Sequence, residues 1–162
     1  MGLIIVKDDF TGKYDLVKSI NDKIESYIDA YEENYLRELL GIDLFNLYKA
    51  DVVNHLPVNA SYLTITNTLY VEQNGYSIVS NGIKDMLLGF IFFEYVRDNK
   101  IKQSMSGSVV NGVDNSNNDF TQEFLFQRYN ESIDIYKNIQ LYIELNKPTY
   151  PTYKGFIKGY SY

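Results

Sequence analysis

The sequence predicts a mainly α-helical single domain of four or five helices, and two observations support this. The 162 residues are 45% hydrophobic, which is enough apolar material for one core at this length. Apolar residues recur at helical spacing over long stretches, whereas the alternation typical of strands is short and partial. The full prediction adds a short irregular or β-hairpin excursion, a long inter-helix loop and an extended C-terminal arm.

The first helix is predicted over Ile20–Leu40. Its apolar residues fall on one helical face, at Ile20, Ile24, Tyr27, Ile28, Tyr31, Tyr35, Leu36, Leu39 and Leu40. Gly41 follows as a left-handed C-terminal residue. A second, shorter helix is predicted from Asp43 to about Val53, and Pro57 prevents its continuation.

The stretch between Pro57 and Ser80 has a β-leaning composition. Its apolar residues, interrupted by Thr, Asn and Gly75, are Leu63, Ile65, Leu69, Val71, Ile78 and Val79. Because the alternation is only partial, the stretch is interpreted as an irregular or hairpin-like excursion.

The central helix is predicted from a cap at Ser80-Asn81 to about Asn99, since apolar residues dominate the run from Met86 to Phe93. Gly89 interrupts this run and lowers its helix propensity. We therefore expect another helix to pack closely against Gly89.

The segment from Gln103 to Asn118 is rich in Ser, Asn and Gly and is predicted to be a long loop. A long helix is then predicted from Phe120 to Ile143, ending before Pro148. The resulting division is a helical domain over residues 1–147 and an extended arm over residues 148–162.

The composition disfavours most enzyme classes. Without Cys and with a single His, the chain offers no thiolate nucleophile, no Cys-ligated metal and no His pair. Glycine-rich phosphate-binding motifs are absent as well. His55, near Asp51 and Ser61 in the sequence, is interpreted as an ordinary loop histidine rather than a general base. The acidic residues on the helices, Asp29, Glu32, Glu33, Glu94 and Asp98, are interpreted as a solvated face.

Charge and hydropathy limit the range of partners. The chain has 15 Lys and Arg against 21 Asp and Glu, a net charge of −6, so it lacks the basic surface of a nucleic-acid-binding protein. The run Met86–Phe93 is far shorter than the ~20 residues of a membrane span. The apolar stretch Leu3–Val6 is too short and wrongly flanked for a signal peptide, so a cytoplasmic location is expected by default.

The arm and the long loop are the predicted interface. From Lys147 onward the chain has three Lys and no acid, and in extended conformation several of its aromatic residues share one side. The candidate interface residues are Met105, Val109 and Val110 in or beside the loop, and Tyr150, Tyr153, Lys154, Phe156, Lys158, Tyr160 and Tyr162 in the arm.

Three segments also carry a family resemblance: Phe10–Tyr14, then Tyr27-Ile28 with Tyr31–Gly41, and Ser80–Phe90. Over residues 10 to about 110 the chain resembles small proteins of tailed phages of the Bacteroides type, crAss-like phages included. Its element order is similar to that of head-tail connector, or head-completion, adaptors.

The resemblance implies a structural protein of the virion neck, made in the host cytoplasm, with no catalytic residue, metal or cofactor. About twelve copies would form a ring below the portal, in keeping with portal symmetry. Its partners would be other copies of the chain, the portal protein, and tail or neck proteins. The alternative is a small cytoplasmic interaction or regulatory protein that acts as a monomer or dimer.

Overall fold

The computed structural model describes residues 2–15, 23–105 and 115–155, with side chains over 2–15, 23–99 and 123–155. Two 3₁₀ turns, Lys7–Asp9 and Gly12–Tyr14, precede the helices. The helices are α1 (Ile24–Asp51), α2 (Ala60–Thr66), α3 (Gly82–Met105) and α4 (Asn115–Leu145). Two antiparallel hairpins interrupt them, β1 (Val52–Val53) with β2 (Leu56–Pro57), and β3 (Leu69–Gln73) with β4 (Tyr76–Ser80). The mainly α fold with a short β excursion is thus confirmed.

The first two predicted helices form the two halves of α1. Gly41 has φ 73° and ψ 159°, which interrupts the helix and separates the halves. A positive φ at Gly41 is what the sequence predicted, because glycine adopts this conformation without a steric penalty. The predicted start at Ile20 lies outside the described residues, and α1 begins at Ile24.

The central position of α3 is confirmed. Its buried residues Ile83, Met86, Leu87, Phe90 and Ile91 have no solvent-exposed surface. The long helix α4 packs along α3. Together with α1 these two helices enclose the main core.

Gly89 allows α3 and α4 to approach closely, as the sequence predicted. A Cβ atom added at Gly89 would overlap Ser132 Oγ of α4 and lie 3.2 Å from Ser132 Cβ. The Tyr14 hydroxyl would be 3.3 Å from the same atom. Gly89 is therefore the point where α3, α4 and the second 3₁₀ turn meet.

The connection between α3 and α4 is shorter than predicted. Gln103 and Met105 are helical in α3, and Asn115 and Asn118 are helical in α4. Only residues 106–114 of the predicted loop remain, and they lie outside the described residues.

The excursion after Pro57 is half helix and half hairpin. Leu63 and Ile65, which the sequence assigned to a β-like stretch, lie in α2. The side chain of Asn59 accepts a hydrogen bond from the backbone N–H of Ser61 at 2.9 Å, and this N-terminal cap favours the helix. The hairpin part of the prediction is confirmed from Leu69 onward.

The N-terminal segment is anchored to α1 by a buried carboxylate. Glu32 accepts hydrogen bonds from the backbone N–H groups of Leu3, Ile4 and Ile5, at 2.5, 2.7 and 2.8 Å. The interpretation of Glu32 as a solvated acid was wrong, because it occupies the buried stripe of α1. Glu94 is also buried, and it accepts a hydrogen bond from the Tyr35 hydroxyl at 3.1 Å.

The arm is not extended at its start. Successive turns fold the chain after α4: Thr149 N–H donates to Asn146 O, Tyr150 N–H to Lys147 O and Tyr153 N–H to Tyr150 O. These turns bring Tyr150 and Tyr153 into the core. Residues 148–155 therefore belong to the domain, and residues 156–162 lie outside the described residues.

Candidate interaction surface

The polar residues that the sequence placed near each other, His55 and Asp51, both form hydrogen bonds with the backbone. His55 Nδ1 lies 3.1 Å from the backbone oxygen of Leu3. The Asp51 carboxylate accepts the backbone N–H groups of Val58 and Asn59 at 2.8 and 2.7 Å. Within the described ranges no group of three His, Cys, Asp or Glu residues could hold a metal ion, and no helix is long and apolar enough to cross a membrane.

The surface shows instead two hairpins whose outer faces carry exposed apolar side chains. Hairpin 1 pairs β1 with β2 in the register Val52↔Pro57 and Val53↔Leu56. Residues directly opposite each other share a face, so Val52 and Pro57 form one face and Val53 and Leu56 the other. Pro57 is buried and Val52 half-buried, which makes this the inner face.

The outer face of hairpin 1 consists of Val53, Leu56 and Val58, which are 57%, 48% and 67% exposed. Val58 joins the other two because it lies two residues beyond Leu56, on the same side of the strand. Asp51 holds Val58 in place through the 2.8 Å bond to its backbone N–H. Three neighbouring aliphatic side chains thus face away from the core.

A two-residue turn, Asn54-His55, joins the strands of hairpin 1 and fixes their register. Both turn residues, Asn54 and His55, have positive φ, of 51° and 66°. This conformation matches the twist of a two-residue hairpin, and Asn and His tolerate it better than most residues. The contact between His55 and the Leu3 oxygen ties the turn to the N-terminal segment.

Hairpin 2 pairs β3 with β4 through an Asn74-Gly75 turn, where φ is 52° and 82°. Its inner face carries Leu69 and Ile78, both buried. On its outer face Tyr70 and Val79 lie directly opposite each other, 67% and 51% exposed.

Glu72 shares the outer face of hairpin 2 with Tyr70, two residues away along β3. It accepts a hydrogen bond from the Tyr70 hydroxyl at 3.1 Å. The outer face of hairpin 2 therefore combines aromatic, aliphatic and acidic groups.

The two edges of hairpin 2 differ. The β4 edge faces α4, since Asn138 Nδ2 donates to the Val79 backbone oxygen at 2.7 Å. At the tip, the side-chain amides of Gln73 and Asn146 bond to each other at 3.0 Å. No described residue outside the hairpin bonds to the β3 backbone at Tyr70 or Glu72.

Three residues of the predicted interface are described with their side chains, and they differ in solvent exposure. Tyr150 and Tyr153 are 1% and 4% exposed, so their assignment to a docking surface was wrong. The Tyr150 hydroxyl donates to Ser61 O at 2.7 Å, and burial raises the pKa of Tyr153 to about 12. Lys154 is exposed and forms an ion pair with Asp43 of α1.

The remaining predicted interface residues lie at or beyond the ends of the described segments. Met105 is the last residue of α3, in a stretch for which only the backbone is described. The other six, Val109, Val110, Phe156, Lys158, Tyr160 and Tyr162, lie outside the described residues.

The sequence contained a signal for hairpin 2 that the interface prediction did not use. Asn-Gly between two apolar runs is typical of a two-residue turn, and this turn fixes the register and so the outer residues. Hairpin 1 has no comparable signal, because Asn54-His55 is an unusual turn pair. In the comparisons with known proteins, no family model, curated protein or solved structure matches this chain.

Proposed function

We propose that this chain is a structural adaptor that assembles with copies of itself into a ring in the neck of a tailed phage. The observation that carries the proposal is the presence of two separate hairpins whose outer faces each carry exposed apolar side chains, Val53, Leu56 and Val58 on hairpin 1 and Tyr70 and Val79 on hairpin 2. A closed ring is built from head-to-tail contacts, which require two different surfaces on every subunit. Hairpin 1 and hairpin 2 differ in sequence and chemistry, so they meet this requirement.

The family resemblance also supports a scaffold role. The three segments that carry it contribute Tyr14, Tyr35, Leu36 and Phe90 to the core, and Gly89 to the contact between α3 and α4. The resembling residues thus define the shape of the domain. A protein that works through its shape and its contacts is expected to resemble its family in core residues of this kind rather than in a polar site.

Burial of the exposed apolar groups would favour association with a partner. Val53, Leu56 and Val58 keep about half or more of their surface in water. Burying apolar surface stabilises an association by about 25 cal/mol per Å². A neighbouring subunit on hairpin 1 would remove this surface from water, whereas a permanent monomer would leave it exposed.

The proposal is tested by the native mass of the purified chain, alone and with the portal protein encoded in the same genome. A monomer weighs 18.8 kDa, so a ring of twelve would weigh about 226 kDa. Native mass spectrometry and negative-stain images should show closed rings of one size, either free or on the portal. If the chain stays a monomer or dimer under both conditions, the proposal fails and the interaction or regulatory alternative takes its place.

A further inference from the structure

We infer that residues 156–162 of a neighbouring copy pair as a strand with the free edge of β3. This inference rests on the proposed ring and names one of its contacts. The occupant is a segment of the same chain, and it is identified by edge geometry, side-chain pattern and charge.

The edge geometry follows from the register of hairpin 2. Gln73 and Tyr76 flank a two-residue turn and form a hydrogen-bonded pair. From there along the two strands, hydrogen-bonded pairs alternate with non-hydrogen-bonded pairs. Tyr70 and Glu72 fall in the non-hydrogen-bonded pairs, so their backbone N–H and C=O groups point away from β4. An edge of this kind is a template for a strand from another chain.

The side-chain pattern of residues 156–162 fits this edge. Its even-numbered residues, Phe156, Lys158, Tyr160 and Tyr162, share one side of an extended strand. In antiparallel pairing with Lys158 opposite Glu72, Tyr160 lies opposite Tyr70. Gly159 then lies opposite Val71, where a missing side chain permits close approach.

Charge favours the same pairing. The segment from Lys147 onward contains three Lys and no acidic residue, in a chain of net charge −6. Lys147 and Lys154 pair with Glu144 and Asp43. Lys158 is the third lysine of the segment, and in this register its charge lies opposite Glu72. Glu72 is exposed on the outer face of hairpin 2 and is bonded there only to the Tyr70 hydroxyl among the described residues. Opposite charges directly opposite each other on neighbouring strands stabilise the pairing.

A second copy fits this edge better than the chain's own segment. Gly155 lies beside α4, since a Cβ there would be 3.9 Å from Glu144 Oε2, and Lys154 is bound to Asp43 of α1. The β4 strand lies between α4 and the free edge of β3. The described chain therefore ends at Gly155 beside α4, whereas the outward backbone groups of Tyr70 and Glu72 lie on the edge that points away from α4, where a neighbouring copy has access.

Cysteine cross-linking tests the inference directly, because the chain has no Cys of its own. Glu72→Cys is introduced in one batch and Lys158→Cys in a second batch with a tag that changes its mass. The batches are mixed, assembled and oxidised. We expect a disulfide-linked heterodimer on a non-reducing gel. The matched control replaces Glu72→Cys by Ala30→Cys, an exposed position on α1, and should give no heterodimer.

A charge exchange provides an independent readout. Glu72→Lys and Lys158→Glu should each reduce the fraction of assembled chains several-fold, and the double variant should recover it. Rings that form without the mixed disulfide would overturn the inference and leave the ring intact. A disulfide at monomer mass in the chain with both cysteines would show pairing within one copy and overturn it as well. If no ring forms at all, the proposed function fails together with the inference.

Discussion

Gly89 of α3 and Ser132 of α4 are in direct contact, with no room for a methyl group between the helices. A Cβ atom on Gly89 would overlap Ser132 Oγ and lie 3.2 Å from Ser132 Cβ. Ser132 is fully buried, and its hydroxyl donates to Arg128 O of the same helix at 3.2 Å. The hydroxyl therefore cannot move away without losing its hydrogen bond.

We expect Gly89→Ala to destabilise the domain by about 1–3 kcal/mol, because overpacking outweighs the ~1 kcal/mol that Ala gains in helix propensity. Urea denaturation followed by circular dichroism measures the change. The double variant Gly89→Ala with Ser132→Ala should regain most of the loss, since it removes the overlapping oxygen. If Gly89→Ala proves as stable as the wild type, the close approach of α3 and α4 is wrong.

Glu32 organises the N-terminal segment, so Glu32→Ala should be among the most destabilising single substitutions. It leaves three backbone N–H groups without their acceptor, and each unsatisfied buried group costs about 1–3 kcal/mol. We expect a loss of about 3 kcal/mol or more in thermal or urea unfolding. Hydrogen exchange at Leu3, Ile4 and Ile5 should become fast in the same variant.

Glu33→Ala is the matched control for Glu32→Ala. Glu33 is the next residue on α1, but it is half-buried and pairs with Arg37 at 2.8 Å near the surface. Surface ion pairs contribute about 0–1 kcal/mol, so the control should lose less than 1 kcal/mol. Equal losses at the two positions would show that the buried carboxylate has no special role.

The free energy of unfolding should depend on pH in a way that reflects the titration of Glu32. Burial raises the pKa of its carboxyl above the usual value, although the three backbone N–H groups lower it. The folded state therefore binds a proton at Glu32 more readily than the unfolded chain does. As the pH falls from 7 toward 5, wild type should gain stability relative to Glu32→Gln, which cannot titrate.

Urea unfolding of wild type and Glu32→Gln at pH 7, 6 and 5 gives this difference, and other titrating groups cancel between the two proteins. If wild type instead loses stability relative to Glu32→Gln as the pH falls, the three N–H groups outweigh burial and hold the pKa of Glu32 below its usual value.

The sequence predicted the helices well because their apolar period persists over many turns. It also predicted the role of Gly89, since a glycine within a buried helix permits a close approach that a larger residue would block. The position of Glu32 could have been predicted too: it lies four residues after Ile28 and four before Leu36, on the buried stripe. Its interpretation as solvated relied on residue type and neglected position.

Other features depended on contacts that are distant in sequence. The aromatic residues of the arm share a side only if the backbone is extended, but turns after α4 place Tyr150 beneath α2 instead. Leu63 and Ile65 lie in a stretch of β-leaning composition, but they are helical because Asn59 caps the N-terminus of α2. The outer faces of the hairpins follow from register, which the sequence shows only at Asn74-Gly75.

Tyr150 now belongs to the core, so Tyr150→Ala should destabilise the domain by about 3–5 kcal/mol. The substitution creates a cavity and leaves Ser61 O without the 2.7 Å hydrogen bond from the Tyr150 hydroxyl. Thermal unfolding measures the effect. Tyr70→Ala, at a tyrosine that is 67% exposed, is the matched control and should change stability by less than about 1 kcal/mol.

Leu56→Glu should prevent assembly while leaving the subunit folded. Leu56 lies at the centre of the outer face of hairpin 1, opposite Val53 and two residues before Val58. A carboxylate there remains in water in the free subunit, so the melting temperature of the monomer should change little. In an assembled ring the same carboxylate would be buried among apolar groups without a partner, at a cost of several kcal/mol per interface.

The matched control is Leu47→Glu, which introduces the same charge at a leucine of similar exposure on α1, outside both hairpins. Light scattering after size exclusion should show rings for wild type and Leu47→Glu, and monomers for Leu56→Glu. Since a ring closes only when every interface forms, a modest penalty at each one is multiplied around the ring. Rings of Leu56→Glu at wild-type yield would exclude hairpin 1 from the interface, and loss of rings in both variants would point to net charge instead.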